Sequence, residues 1–122
     1  IDETALVYAA KSGNLSFLIT YFDMIDRFTY DAVVASMQFH HFCVLKFILA
    51  SGKYDINEYS SYKWTALHFA AANGFDDELK LLCTIDGIIL NTKNDSGNTA
   101  LDCATKNGHL SCIEILQHAQ HS

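Results

Sequence analysis

No stretch of about eighteen uncharged apolar residues occurs in the 122-residue sequence, and its start carries neither a basic cluster nor an apolar signal core. A membrane-inserted helix and a secretory leader are therefore not expected, and the implied compartment is cytoplasmic or nuclear. Basic residues are scarce: eight Lys and Arg stand against fourteen Asp and Glu, a formal net charge of −6. Neutralising phosphates needs clustered cations, so a nucleic-acid surface is excluded and a protein partner that is neutral or basic on its contact face fits better. No CxxC pair links Cys43, Cys83, Cys103 and Cys112, which read as reduced core thiols rather than a disulfide framework. Phosphate-loop, HExxH and GxSxG motifs are absent too, so no cofactor and no enzyme activity are expected. The sequence opens at Ile1 instead of Met, as a piece of a longer polypeptide would.

What is present is apolar content and a repeat. Half of the residues are hydrophobic, enough for one domain with a proper core, and a monomer is expected. Thr65-Ala66-Leu67-His68-Phe69-Ala70 returns 34 residues later as Thr99-Ala100-Leu101-Asp102-Cys103-Ala104. Asn73-Gly74 returns at the same offset as Asn107-Gly108, and Asn57 as Asn91. A further copy begins at Thr4-Ala5-Leu6 and reaches Ser12-Gly13, and a degraded one begins at Asp31-Ala32-Val33. Four units result, and fixed-period self-similarity of this kind is the signature of a repeat architecture.

At these residues the sequence resembles the ankyrin family, whose unit of about 33 residues carries a T-P-L-H-x-A signature, two helices and a β-turn finger. The resemblance implies an all-α ankyrin-repeat solenoid of stacked antiparallel helix pairs with short β-turn fingers. It makes 1–122 a single domain whose repeats start near 4, 31, 65 and 99. The sequence has no proline, so alanine replaces the signature proline throughout and the preset φ at the first helical position is lost. Gly13, Gly74 and Gly108 are expected to end the first helices in left-handed backbone, a conformation free of Cβ strain only for glycine. His40 stands at that place in the second unit, where the same backbone costs about 1 kcal/mol and a distorted hairpin is expected.

Returning helices are marked by apolar stripes: Leu15, Leu18 and Tyr21; Val44, Leu45, Phe47 and Ile48; Leu79, Leu81 and Leu82; Leu110, Ile113, Ile115 and Leu116. The first two units lie 27 residues apart, a shortening placed between Tyr21 and Asp31, where no full finger fits. Asn94-Asp95-Ser96-Gly97-Asn98 supplies finger chemistry before Thr99. Polar Gln117 and His118 in the final helix suggest an array that ends near Ser122.

Few residues carry candidate chemistry. His40-His41-x-Cys43 offers zinc-type ligands at a spacing no closed site uses, with only the scattered His68, His109, His118 and His121 to complete it, so no metal is expected. The resemblance gives His68 a local role, tying finger to helix, with Asp102 as an acceptor in its place in the fourth unit. Cys103 and Cys112 fall on core-facing helical positions, and Asp76, Asp77 and Glu78 open a helix where negative charge complements the macrodipole. Leu49, six residues before Asp55-Ile56-Asn57, resembles the acceptor pattern of asparaginyl hydroxylation in ankyrin repeats. Asn57 is thus either a hydroxylation acceptor or a finger residue bonding to backbone.

The positions that vary in the family and contact partners correspond here to Phe39, Tyr62, Trp64, Asn73, Asp95, Ser96, Asn98, Lys106 and Asn107, with Lys11, Ser12, Gln38 and Ala72 beside them. Aromatic side chains in a groove are typical interface anchors, and Tyr62, Phe39 and Trp64 are the large ones. The function implied is a non-catalytic protein-interaction module, a scaffold or adaptor. The alternative is a regulatory or targeting segment docking in cis on another domain of the same polypeptide.

Overall fold

The computed structural model describes residues 2–120. Among them are eight α-helices in four consecutive pairs: α1 (Glu3–Ser12) with α2 (Leu15–Thr20), α3 (Tyr30–Gln38) with α4 (Phe42–Ala50), α5 (Ala66–Asn73) with α6 (Asp76–Cys83), and α7 (Ala100–Lys106) with α8 (Leu110–Gln120). Outside these helices and two 3-10 turns, Phe22–Met24 and Ser61–Lys63, the described residues form only an isolated antiparallel bridge between Tyr59 and Thr65, so the all-α expectation holds. His121 and Ser122, on which two of the expectations above fall, lie outside the described residues. The chain divides into two compact units, Ile1–Asp55 and Ile56–Ser122, each with two helix pairs.

Every pair closes in the same way. The N–H of Asn14 donates to the Ala9 carbonyl at 2.8 Å, His41 to Ser36 at 2.8 Å, Phe75 to Ala70 at 3.0 Å and His109 to Ala104 at 3.0 Å. These are the six-to-one bonds of a helix terminated by a left-handed residue. That residue is Gly13, His40, Gly74 or Gly108, with φ of 71°, 61°, 72° and 71°. The distortion expected at His40 is not found. Its backbone adopts the left-handed conformation of the glycines, because His41 behind it still gains the same bond.

Stacking within each unit uses one recurring contact. In Ile1–Asp55, α3 packs on α1, and His41 Nε2 lies 3.1 Å from the Lys11 carbonyl oxygen. In Ile56–Ser122, α7 packs on α5, and His109 Nε2 lies 3.0 Å from the Ala72 carbonyl oxygen, which also accepts from Asn107 Nδ2 at 3.2 Å. Both imidazoles lie against the preceding pair's turn. A Cβ on Gly13 would stand 2.5 Å from His41 Nδ1, and one on Gly74 2.8 Å from His109 Nδ1. Glycine is therefore required there twice over, for its backbone and for the space it leaves.

The cores follow the stripes with three corrections. Leu18, Leu45 and Ile48 are fully buried in the first unit, and Leu79, Leu82 and Leu116 in the second. Leu110 is instead 73% exposed, because it is the first residue of α8, ahead of the buried stripe. Tyr21 is 42% exposed beyond the end of α2, its ring 4.9 Å from that of Phe17. Cys43, taken for a core thiol, is exposed near the start of α4.

The shortened connection is held by means the repeat pattern does not contain. A single 3-10 turn, Phe22–Met24, replaces the finger, and Ile25 and Phe28 bury themselves behind it. Lys53 Nζ donates to the carbonyls of Phe22 and Ile25, both at 2.7 Å, and lies 4.0 Å from the Phe22 ring centroid. The Lys53 carbonyl then accepts from the Phe28 N–H at 2.8 Å.

The glycine geometry separates two costs. Gly108→Ala meets nothing within 4 Å and bears only left-handed strain, a loss of about 1 kcal/mol. Gly74→Ala adds the collision with His109 and should lose roughly 1–3 kcal/mol more. Urea unfolding of both variants checks the order, and pairing Gly74→Ala with His109→Ala should remove most of the excess.

Candidate protein-binding surface

In Ile56–Ser122 the inner helices start with reciprocal caps that also anchor the fingers. The Thr65 hydroxyl accepts from the His68 N–H at 3.3 Å, and His68 Nδ1 accepts from the Thr65 N–H at 3.2 Å, a capping box. With Nδ1 accepting, the ring proton sits on Nε2, which donates to the Asn98 carbonyl of the next finger at 2.9 Å. In the fourth pair Asp102 takes the histidine's place, its carboxylate accepting from the Thr99 N–H at 3.0 Å. Both roles implied for these residues are present.

The first two pairs start differently. Val7 and Val34 occupy the His68 position and cannot complete a box, so the helices begin earlier than the alignment with Thr4 and Asp31 suggested. Asp2 caps α1, accepting from the Ala5 N–H at 2.9 Å, and Thr29 precedes α3, its hydroxyl donating to Glu3 Oε1 at 3.0 Å.

The fingers of the second unit are bonded to one another through backbone. Around the Tyr59–Thr65 bridge, the Ser60 N–H donates to the Trp64 carbonyl at 2.8 Å, and the tip turns through left-handed Tyr62 and Lys63, with φ of 64° and 59°. The Tyr62 carbonyl accepts from the Asp95 N–H at 2.8 Å, while the Tyr62 ring is 74% exposed. Buried Asn94 shapes the following finger, its Oδ1 accepting from the N–H groups of Ser96 and Asn98, each at 3.0 Å. Asn57 spans two connections: Nδ2 donates to the Gly87 carbonyl at 2.9 Å and Oδ1 accepts from the Ile89 N–H at 2.9 Å.

The residues singled out from the sequence divide by role. Tyr62, Asp95, Ser96 and Lys106 are exposed. Trp64 is half-buried with its ring centroid 5.8 Å from that of His68, and Asn98 is half-buried with its carbonyl bonded to His68. Asn73 donates to the Phe69 carbonyl within its own helix, and Asn107 to Ala72 of the preceding pair. In the first unit Phe39 is exposed at the end of α3 with Lys11 Nζ 5.3 Å from its ring centroid, within cation–π range. Lys11 and Phe39 line one open hollow of roughly 720 Å³ between α1 and α3, with Gln38, Tyr8, Glu3 and Asp31. Sequence reasoning missed Tyr8, Glu3 and Asp31; the signal was their same-face helical spacing, with Tyr8 three and Glu3 eight residues before Lys11 and Asp31 seven before Gln38.

The thiols and the histidine have shifted titrations. Burial raises the Cys83 and Cys103 thiols, and it pushes Cys112 up to about 12, aided by the thiol's 3.0 Å bond to Asp76 Oδ1. Protonated at neutral pH, these three are poor nucleophiles. Burial lowers the pKa of His68 below its ordinary value of 6.5, opposed by the Asn98 carbonyl that its Nε2–H meets. The unfolded state therefore binds the extra proton first as pH falls through about 6.5. Native stability should be full above that pH and decline below it, and the thermal midpoint between pH 7.5 and 5.5 should fall less in His68→Gln than in the parent. Separately, Asn57→Ala removes two solvent-exposed bonds between connections and should lower unfolding free energy by about 1 kcal/mol, measurable in urea.

Relatives are found at the level of the repeat. Stretches of 55 and 56 residues are 40% and 39% identical to cortactin-binding protein 2 of Ornithorhynchus anatinus and of Atelerix albiventris. They cover 45% and 46% of this chain but only 3% of either relative. The profile of the family described as Ankyrin repeats (3 copies) matches residues 32–122, which takes in α4 to α8 whole, nearly all of α3, and both capping boxes. A match over well above half of the chain, on helix pairs closed and capped as described, places it: the protein belongs to the ankyrin-repeat family, whose repeats serve as protein-interaction modules.

Proposed function

We propose that this chain is a non-catalytic scaffold or adaptor that binds another protein through its finger and inner-helix residues. The observation that carries the reading is Tyr62, a large ring 74% exposed on a finger whose own carbonyl is bonded to the next finger. An amphipathic ring on a pre-ordered support gives contact area at low entropic cost, the usual property of an interface anchor. Phe39 beside Lys11 is its counterpart in the first unit, argued separately because it lies on other elements. Carboxylates flank both, Glu3 and Asp31 near Phe39 and Asp95 near Tyr62, so the partner is neutral or basic where it touches. The reading takes 1–122 as one domain, a monomer working in cytoplasm or nucleus. The name of the relatives attributes cortactin binding to proteins of which the matched stretch is 3%, and the partner class here rests on charge instead.

Affinity capture from cell extract with the parent chain, Tyr62→Ser and Phe39→Ser tests this, with helical circular dichroism as the control for folding. Proteins held by the parent should be lost by at least one variant, since truncating a central aromatic weakens binding by about 2 kcal/mol or roughly thirtyfold. Equal retention by all three would move the binding surface elsewhere. Retention by none would favour docking in cis on another domain of the same polypeptide.

A further inference from the structure

The outer face of the first helix pair has the composition of an interior. Superposing the four turns, with Gly13 on His40 and Gly74 on Gly108, aligns the pairs residue by residue. In each unit one set of positions faces the preceding pair: the Cys112 thiol reaches back to Asp76, His109 to Ala72 and His41 to Lys11, and Ala35 lines the hollow it shares with Tyr8. In the fourth pair that face is Ala100, Cys103, Ala104, Cys112 and Leu116, and in the second it is Ala32, Ala35, Ser36, Val44 and Ile48. All ten are buried.

The same positions in the first pair hold Ala5, Tyr8, Ala9, Phe17 and Tyr21. None is charged, yet Tyr8 is 72% and Tyr21 42% exposed, and Ala5 and Phe17 are only half-buried. Two adjoining hollows run along this face, one lined by Ala5, Tyr8 and Phe17 with Asp2, Thr4 and Asn14 at its edge, the other by Phe17, Tyr21 and Met24 with Asp2. Exposed aromatic and apolar surface of this kind, rimmed by polar groups, marks a contact that the isolated chain does not satisfy.

We propose that the Ala5–Tyr8–Phe17–Tyr21 face is a stacking surface for another helix pair of this type, carried on the N-terminal side of the same polypeptide. It continues the stacking seen within each unit, at the same residue positions, and solenoid repeats gain their stability from such neighbour interfaces. By the same alignment a second copy stacked head to tail would bring Leu110, the counterpart of Asp76, to Phe17, and it is the rival occupant that the test separates. Tyr8 and Phe17 are larger than their counterparts Cys103 and Cys112, so the covering pair presents small or apolar residues opposite them. Tyr8 also lines the hollow beside Phe39, but the partner-binding reading rests on Phe39 and Tyr62, so the two stand separately.

Grafting residues 66–99 directly ahead of Ala5 tests it, because Thr99 would then precede Ala5 as it precedes Ala100. A second graft carries Asp76→Ala, since Phe17 stands where Cys112 meets that carboxylate. At least one graft should raise the thermal midpoint of the 122-residue chain by about 4 °C or more and slow amide exchange in α1 and α2. Tyr8→Asp with Tyr21→Asp should abolish the gain in the graft while leaving the midpoint and circular dichroism of the ungrafted chain nearly unchanged. No gain from either graft, or a gain that survives the double substitution, overturns the proposal. So does an ungrafted chain that sediments as a dimer and is made monomeric by the double substitution, which would make a second copy the occupant.

Discussion

The approach of one helix pair to the next within each unit is set by an imidazole lying against a turn that has no Cβ. His41 over Gly13 and His109 over Gly74 are the same contact made in both units, with nearly the same distance to a carbonyl on the far side. Three conditions meet there. The turn residue must tolerate positive φ, it must leave room for a ring, and the helix before it must leave a carbonyl free to accept. Helix termini always expose such carbonyls, so the histidine satisfies a group that would otherwise need water. Once this approach is fixed, only small residues fit between the inner helices, which accounts for Ala104 and for Ser36, whose buried hydroxyl donates to the Val33 carbonyl at 2.7 Å.

The units differ in how the chain travels from one pair to the next. In the second, a finger of about the family's length leads to a threonine cap, and His68 or Asp102 closes the box. In the first, the route from α2 to α3 is seven residues shorter than the finger-bearing repeat, by comparison of the 27- and 34-residue spacings. No finger forms, valine stands at the box position, and a lysine from beyond α4 reaches back to the carbonyls of Phe22 and Ile25 in the shortened connection. A cationic head with three donors can satisfy two carbonyls at once while it lies over the Phe22 ring.

Much of this was legible in the sequence, and the illegible parts share a cause. The 34-residue recurrence from Thr65 to Thr99 revealed the helix pairs, and the glycines marked their turns because positive φ leaves a chemical trace. His40 was flagged by the same logic; only the distortion was overestimated, since one residue's strain is smaller than the bonds that hold the turn. Lys53 gave no sign, because its targets lie 31 and 28 residues away and no pattern connects a lysine with carbonyls. Cys43 misled because a thiol's burial depends on which side of its helix meets a neighbour. At the surface, position along the chain identified Tyr62 and Asp95 as exposed, but Asn107 and Asn98 turned out to hold structure as well, a distinction that requires knowing where the adjacent pair's carbonyls and imidazoles stand.

The polar links between successive repeats described above mostly end on main-chain atoms: the carbonyls of Lys11, Ala72, Asn98 and Gly87, and the amide of Ile89. A bond to a main-chain atom is indifferent to the side chain it belongs to. Mutation at Lys11, Ala72, Asn98 or Ile89 can therefore remodel what the molecule shows to the outside while leaving these links intact. Architecture and recognition are inherited through different atoms of the same residues, and a lineage can exchange partners without first rebuilding its scaffold.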